Sequence, residues 1–348
     1  MEVTPPWAAS SLAVLLAVLR RRGARNKYNL PPGRRPRPVI GNLNLIGPLP
    51  HRSIRELSAQ YGPLMSLRFG SFPVVVGSSV DAAEFFLKTH DLAFLDRPRL
   101  ACGKRLGRMF DRFVEHEDRR RREGQAFVPN DMVDQLLQLA GDPSLDVPID
   151  RDGVKASILE LITGGTDISS VTVESAMSEL LRKPQALTKV TEELDRVVGR
   201  DRLVAEVDIP SLPYLDAVVK ETMRLHPVYR VSREDTTLAG YDIPRVTRVL
   251  VNVWAIGRDP AEWGDAAEEF RPERFIVSDV DVKGQDLRLL PFGMVQLVLA
   301  NLVHGFAWRL PHGVAPEKLS MEEKFGISVS RMDQLKAIPE PKLPDHLY

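Results

Sequence analysis

Val218-Val-Lys-Glu221-Thr-Met-Arg224-Leu-His-Pro227 and, further on, Phe270-Arg-Pro-Glu-Arg274-Phe275 are the two stretches on which the fold turns. The first sets an acid and a base three residues apart on a helix predicted over 212–225. That helix ends at His226-Pro227, because the residue before a proline is pushed away from the helical region. As an exposed pair, Glu221 and Arg224 would be worth only a few tenths of a kcal/mol. The second stretch holds another arginine in a turn whose backbone Pro272 fixes. Between the two lie Gly240-Tyr-Asp-Ile-Pro244 and Asn252-Val-Trp-Ala-Ile-Gly-Arg-Asp-Pro260. E-x-x-R alone specifies little. In this order, after Thr163-Gly-Gly-Thr-Asp167 and a proline-rich stretch near the N-terminus, it is a strong signature.

Outward from that centre the chain reads as mainly α with small β-sheets. Helical spacing marks 51–61, stopped by Gly62-Pro63, and a short helix over 79–89 with Asp81 in its first turn. The runs 64–69 and 72–76 are β-rich and flank Gly70-Ser71, a hairpin signal. The longest helical candidate, 154–181, contains Gly164-Gly165. Two helical glycines cost roughly 1 kcal/mol each relative to alanine. They imply either a break or the close approach of something to the backbone. A helix over 184–198 is closed by Gly199, 248–254 alternates as a strand, and 293–310 returns to an apolar helix. The sheet content is expected in 64–76 and 238–254. No internal repeat or low-complexity tract is evident.

Of the 348 residues, 47 are Lys or Arg and 47 are Asp or Glu, and 43% are hydrophobic. Balanced charge argues against a dedicated nucleic-acid binder. The stretch 104–123, with 8 basic and 5 acidic residues including four consecutive arginines, reads as a solvated helix end or loop. The single cysteine rules out an internal disulfide framework and a multi-thiolate zinc site. At the N-terminus, 7–19 is uncharged and Leu/Val-rich, and Arg20, Arg21, Arg22, Arg25 and Lys27 follow it. A secretory signal carries its charge before the apolar run. The reverse order favours a signal-anchor with the basic side, and so the body, facing the cytoplasm. The run is short for a span of roughly 20 residues, and a frayed tail or core helix is the alternative. Residues 30–38, with proline at 31, 32, 36 and 38, form a stiff extended connector. The expected organisation is thus an anchor with its basic flank over 1–29, a hinge over 30–38, and a single shortened domain over 39–348.

Taken together, these motifs resemble a plant microsomal cytochrome P-450, a haem-thiolate monooxygenase, over nearly the whole chain. The shared pattern runs from the anchor and Pro31-Pro-Gly33 through Phe94-Leu-Asp-Arg-Pro98 to the C-terminus. The resemblance implies a largely helical P-450-like fold with haem held between two central helices. It implies electrons from an NADPH-dependent flavoprotein reductase, a small apolar substrate, and a place on the endoplasmic reticulum membrane. It also implies that Glu221, Arg224 and Arg274 form a structural ionic network beneath the haem. Gly165, Phe292 and Gly293 become haem-contact candidates, and Arg230 a candidate for a haem propionate.

Three departures stand against it. The family's ligand loop has the form F-x-x-G-x-R-x-C-x-G, whose thiolate binds the haem iron and favours O–O cleavage. Here Leu290-Pro-Phe292-Gly293 runs straight into Met294-Val-Gln-Leu-Val-Leu, without the arginine, the cysteine or the closing glycine. Cys102, in Leu100-Ala-Cys-Gly-Lys104, lies in a different part of the pattern and reads as a partly buried or idle thiol, so no metal ligand is assigned. None of the seven histidines stands where the loop would place one. In the oxygen-activation segment Asp167 is retained, but Ile168 replaces the threonine that serves proton delivery. Thr166 and Ser169 are the substitutes, about 160° and about 100° around an α-helix from Ile168 respectively. Between Gly103 and Val154 the helices that cover the haem and line the pocket are mostly missing, with the W-x-x-x-R propionate motif. Trp254-Ala-Ile-Gly-Arg258 has that spelling in the wrong region.

Three functional readings follow: a working monooxygenase of plant secondary metabolism, such as a flavonoid or terpenoid hydroxylase; an internally shortened and inactive form of one; or a membrane-tethered non-catalytic partner that binds no haem. Abrupt junctions near Gly103 and Gly293, with intact family sequence on both sides, favour the second.

Overall fold

The computed structural model describes residues 28–90, 111, 132–140, 150–227, 231–232, 236–244, 247–276, 295–326 and 329–348. Its helices are α1 (Pro50–Tyr61), α2 (Val80–Glu84), α3 (Met132–Leu139), α4 (Arg151–Thr163), α5 (Ser169–Arg182), α6 (Pro184–Val197), α7 (Pro213–Leu225), α8 (Val253–Ile256), α9 (Pro260–Trp263) and α10 (Gln296–Gly305). Its strands are β1 (Leu64–Phe69), β2 (Phe72–Gly77), β3 (Val231–Ser232), β4 (Thr236–Leu238), β5 (Tyr241–Ile243), β6 (Arg248–Val251), β7 (Phe306–Arg309), β8 (Glu323–Lys324), β9 (Ser330–Arg331) and β10 (Ile338–Pro341). The chain divides into two compact units, one of residues 1–98 and 229–262, the other of residues 99–228 and 263–348.

The first unit is built on a four-stranded sheet of order β1-β2-β6-β3. β1 and β2 pair antiparallel with Phe69 opposite Phe72, so Gly70-Ser71 makes the expected hairpin. β6 runs parallel to β2, with Val74 opposite Arg248. Ile54 and Leu57 of α1 close over Met65, Leu67, Val74 and Val76. The proline-rich connector lies against β1: Ser66 N–H donates to Pro32 O at 2.8 Å, and Ser66 Oγ donates to Pro31 O at 2.7 Å. The approach is so close that a Cβ at Gly33 would overlap the Ser66 carbonyl. The strand expected to Trp254 stops at Val251, because Asn252 turns the chain into α8 and its Oδ1 accepts from Ala255 N–H at 3.3 Å.

The second unit is helical. Ala176, Met177 and Leu180 of α5, Val190 and Leu194 of α6, Leu215, Val218 and Val219 of α7, and Leu299, Ala300 and Val303 of α10 form its core. A smaller cluster joins Val133 and Leu137 of α3 to Val154 and Ile158 of α4. The apolar helix expected to 310 ends at Gly305. There Phe306–Arg309 turns into β7 and pairs with β10, Ile338 opposite Arg309, a pairing partner distant in sequence. Trp308 Nε1 donates to Leu302 O at 2.7 Å, folding the strand back onto the helix it leaves.

Candidate functional site

The E-x-x-R pair sits in the last turn of α7, where Glu221, Thr222, Met223, Arg224 and Leu225 are all buried. Arg224 clasps Glu221 with two parallel bonds, Nε to Oε2 at 2.7 Å and Nη2 to Oε1 at 2.9 Å. Arg274 Nε reaches Glu221 Oε1 at 3.1 Å, and Arg271 N–H donates to the same oxygen at 2.6 Å. The guanidinium donors left over meet backbone carbonyls. Arg224 donates to Ala267 O at 2.6 Å and Glu269 O at 2.9 Å, and Arg274 to Ala266 O at 2.9 Å and Trp263 O at 3.3 Å. The Arg224 guanidinium also lies 5.2 Å from the Trp263 ring centroid. One carboxylate therefore faces two guanidiniums inside the protein, and the excess positive charge is spread over carbonyl dipoles. The arrangement fastens the 263–275 segment to α7.

The segment with the paired glycines is one continuous helical path. α4 passes into α5 through a π-turn over Gly164–Ile168 that contains Gly165, Thr166, Asp167 and Ile168. Such turns are rare and concentrate at functional sites. Of the two readings of the glycines, the structure shows a local change of helix type. Among the described residues, a Cβ at Gly165 would meet nothing within 4 Å. The Thr166 hydroxyl, a candidate for proton delivery, donates back to Ile162 O, so its proton is held inside the helix. Leu161 and Ile162, just before the turn, are 48% and 51% exposed.

The family pattern implies a haem, and its fit rests on the donor side chains the chain can offer. A thiolate ligand requires a cysteine, and the sequence has only Cys102. Cys102, Arg230, Phe292 and Gly293, like Trp7 to Lys27 of the expected anchor, lie outside the described residues. Two of the described imidazoles each have a ring nitrogen engaged by another group. His304, fully buried on α10, faces Arg202 O at 3.1 Å, and His226 pairs with Glu179 at 3.2 Å. Burial would raise the Glu179 carboxyl, but the hydrogen bond from His226 and the charges of His226, Arg182 and Lys183 leave it below its ordinary value. Among the described residues no side chain supplies the thiolate of a haem-thiolate centre. Among the described residues there is also no group of three His, Cys, Asp or Glu side chains that could hold a metal ion.

Two features escaped sequence reasoning. The buried Glu193 carboxylate accepts from Tyr214 N–H and Leu215 N–H, both at 2.9 Å, and so caps the start of α7. A cap 21 residues upstream on another helix leaves no local signal. Trp254 and Arg258, whose W-x-x-x-R spelling lies in the wrong region for the propionate motif, do form a pair within the first unit. The guanidinium lies 4.2 Å from the ring centroid, a cation–π contact with no propionate in its explanation.

The Cytochrome P450 family profile matches residues 31–112 and 101–333, and the two matches meet where the sequence indicated a junction. The trimethyltridecatetraene synthase of Zea mays is 38% identical, with 98% of this chain and 95% of that protein covered. The dimethylnonatriene synthase of Zea mays is also 38% identical, covering 100% and 98%. A flavonoid 3'-monooxygenase of Petunia hybrida is 31% identical, covering 96% and 97%. The first of these alignments runs over 526 positions against a chain of 348 residues, so the relative carries internal stretches with no counterpart here. Among solved structures, a zebra fish cytochrome P450 determined with abiraterone matches with a TM-score of 0.68 and 22% identity over 84% of this chain and 100% of that one.

Proposed function

The chain belongs to the cytochrome P450 family, and from that premise we propose that it is an internally shortened form of a plant monooxygenase that does not perform the family's reaction. The family's members are haem-dependent monooxygenases supplied with electrons by an NADPH-dependent reductase, and the plant relatives include flavonoid and terpenoid-related enzymes. One observation carries the reading. Phe292-Gly293 passes directly into Met294-Val295 and α10, so the loop that would hold the thiolate is not encoded. The replacement of the relay threonine by Ile168, and the bond of the exposed Thr166 hydroxyl back to Ile162 O, support it from the oxygen side.

The lineage's substrate class is small and apolar. The two maize relatives at 38% identity are named for branched polyene hydrocarbons, which favours a terpenoid over a flavonoid for the full-length ancestor. The apolar run over 7–19 followed by a basic cluster supports tethering to the endoplasmic reticulum membrane with the body in the cytoplasm. Among the described residues no helix is long and apolar enough to cross a membrane.

The test is the absorption spectrum of the full chain, expressed with haem supply, reduced and exposed to carbon monoxide. No haem band, or only a histidine-type one, is expected, together with no product from terpenoid alcohols in the presence of reductase and NADPH. A thiolate-type Soret band with turnover would overturn the reading and make Cys102 the ligand to examine.

A further inference from the structure

We propose that Asp195, His304 and Lys342 form an internal site for one ordered water molecule, which ties α6 to α10 and to the residue that follows β10. His304 is fully buried, and Asp195 and Lys342 are only 20% and 16% exposed at their side chains. Among the described residues, three of their polar atoms, Asp195 Oδ1, His304 Nδ1 and Lys342 Nζ, have no hydrogen-bond partner. Their separations are 3.9 Å from His304 Nδ1 to Asp195 Oδ1 and 3.6 Å from Lys342 Nζ to the same oxygen. Both exceed a direct hydrogen bond.

The remaining atoms of these groups fix what each orphan offers. His304 Nε2 faces a carbonyl, Arg202 O, at 3.1 Å, so Nε2 carries the proton and Nδ1 of the neutral ring is an acceptor. Asp195 Oδ2 is occupied by Arg200, through Nε at 3.1 Å and through Nη2. Its Oδ1 is therefore the free acceptor, while Lys342 Nζ can only donate. Two acceptors and one donor, with Asp195 Oδ1 lying 3.9 Å from the other acceptor and 3.6 Å from the donor, match a single water, which gives one hydrogen to each acceptor and takes one from the ammonium. The other small ligands are disfavoured by charge: the ammonium repels a cation and the carboxylate repels an anion. Burial, followed in weight by Lys342 and Arg202 against the opposing Arg202 carbonyl and Asp195, holds the imidazole below its ordinary range, in keeping with a neutral ring. A buried polar atom left unmatched keeps the full cost of its lost hydration, which is the driving force for the site. Buried waters characteristically make about three such bonds.

The full chain, labelled with 15N at histidine only and held in detergent micelles, reports on the site directly. The His304→Gln variant identifies the His304 signals. At neutral pH the expected state is an Nε2–H tautomer whose Nδ1 is shifted as a hydrogen-bond acceptor. An Nδ1–H signal would mean a direct bond to Asp195, and an Nδ1 with no bonded shift would mean a dry site; either result overturns the proposal. A crystal structure that resolves solvent supplies the independent check, with a single peak within hydrogen-bond distance of all three atoms expected. Density absent from that point, with the three side chains in place, would also overturn it.

Discussion

Glu221 and Arg224 are joined by two hydrogen bonds across one turn of a single helix face, with both side chains fully excluded from solvent. A buried ion pair of this kind is weak evidence for stability, since desolvation offsets much of the attraction. Breaking it is a different matter, because the partner left behind stays charged and buried. Glu221→Gln and Arg224→Ala are each expected to lower the unfolding free energy of the full chain by about 3–5 kcal/mol. Arg274→Ala should cost less, about 1–3 kcal/mol, because its side chain is 14% exposed and water can reach part of what it leaves. Urea titrations followed by tryptophan fluorescence would check the order, and an Arg274 effect as large as that of Arg224 would contradict it.

The network was visible as two short motifs, but not as a network without the family pattern. E-x-x-R places two side chains on one helix face by local geometry alone, whereas Arg274 and the carbonyls of Ala267 and Glu269 reach the pair only through tertiary folding. The hairpin at Gly70-Ser71 and the stop at Gly62 were legible because they rest on turn chemistry. The end of α10 was not. Residues 306–310 continue an apolar pattern, and only pairing with Ile338–Pro341 makes Phe306–Arg309 a strand. Cys102 and the junctions carry the functional conclusion and are read from sequence; the fold contributes the commitment of Thr166 and His304.

Gly33 and Gly165 should respond to alanine in opposite directions. A methyl group at Gly33 would overlap the Ser66 carbonyl and must displace either the connector or β1. Overpacking of this kind costs about 1–3 kcal/mol. At Gly165 a Cβ has open space, and replacing a helical glycine gains up to about 1 kcal/mol. Thermal melts of the two variants should therefore move down for Gly33→Ala and up or not at all for Gly165→Ala. A clear loss at Gly165 would show that something approaches that backbone after all.

Asp208 sets an acid limit. Its carboxylate takes two bonds from Arg202, at 2.6 and 2.8 Å, and one from Ala205 N–H at 2.9 Å. Those bonds hold its pKa down at about 2, against 3.8 normally. A depressed carboxylate contributes stability that is present above the unfolded value and lost as pH falls through the folded one. The contribution should fade between pH 4 and pH 2. Asp208→Asn should remove that part of the acid transition while leaving the profile above pH 5 parallel to the parent, as followed by far-UV circular dichroism. An unchanged profile between pH 4 and pH 2 would show that the Arg202 pair is screened away in solution.

His304 gives the opposite kind of group a testable window. Its pKa is lowered first by burial and then by Lys342, while Asp195 and the Arg202 carbonyl pull it back and the Arg202 charge adds to the lowering. Arg200 and Asp208 complete the charged surroundings, the first through Asp195 and the second through Arg202. In the unfolded chain the imidazole takes up a proton near pH 6.5, whereas in the folded chain it resists until a lower pH. Protonation thus favours the unfolded state, so stability should begin to fall as pH drops through about 6.5 and level off below the folded value. His304→Gln lacks the titrating group and should flatten the slope between pH 7 and pH 5, whatever its effect on absolute stability. The slope, measured by denaturant midpoints at several pH values, is the readout. If the variant kept the parent's slope, the proton uptake would have to come from another histidine, and the neutral ring inferred between Arg202 and Asp195 would lose its support.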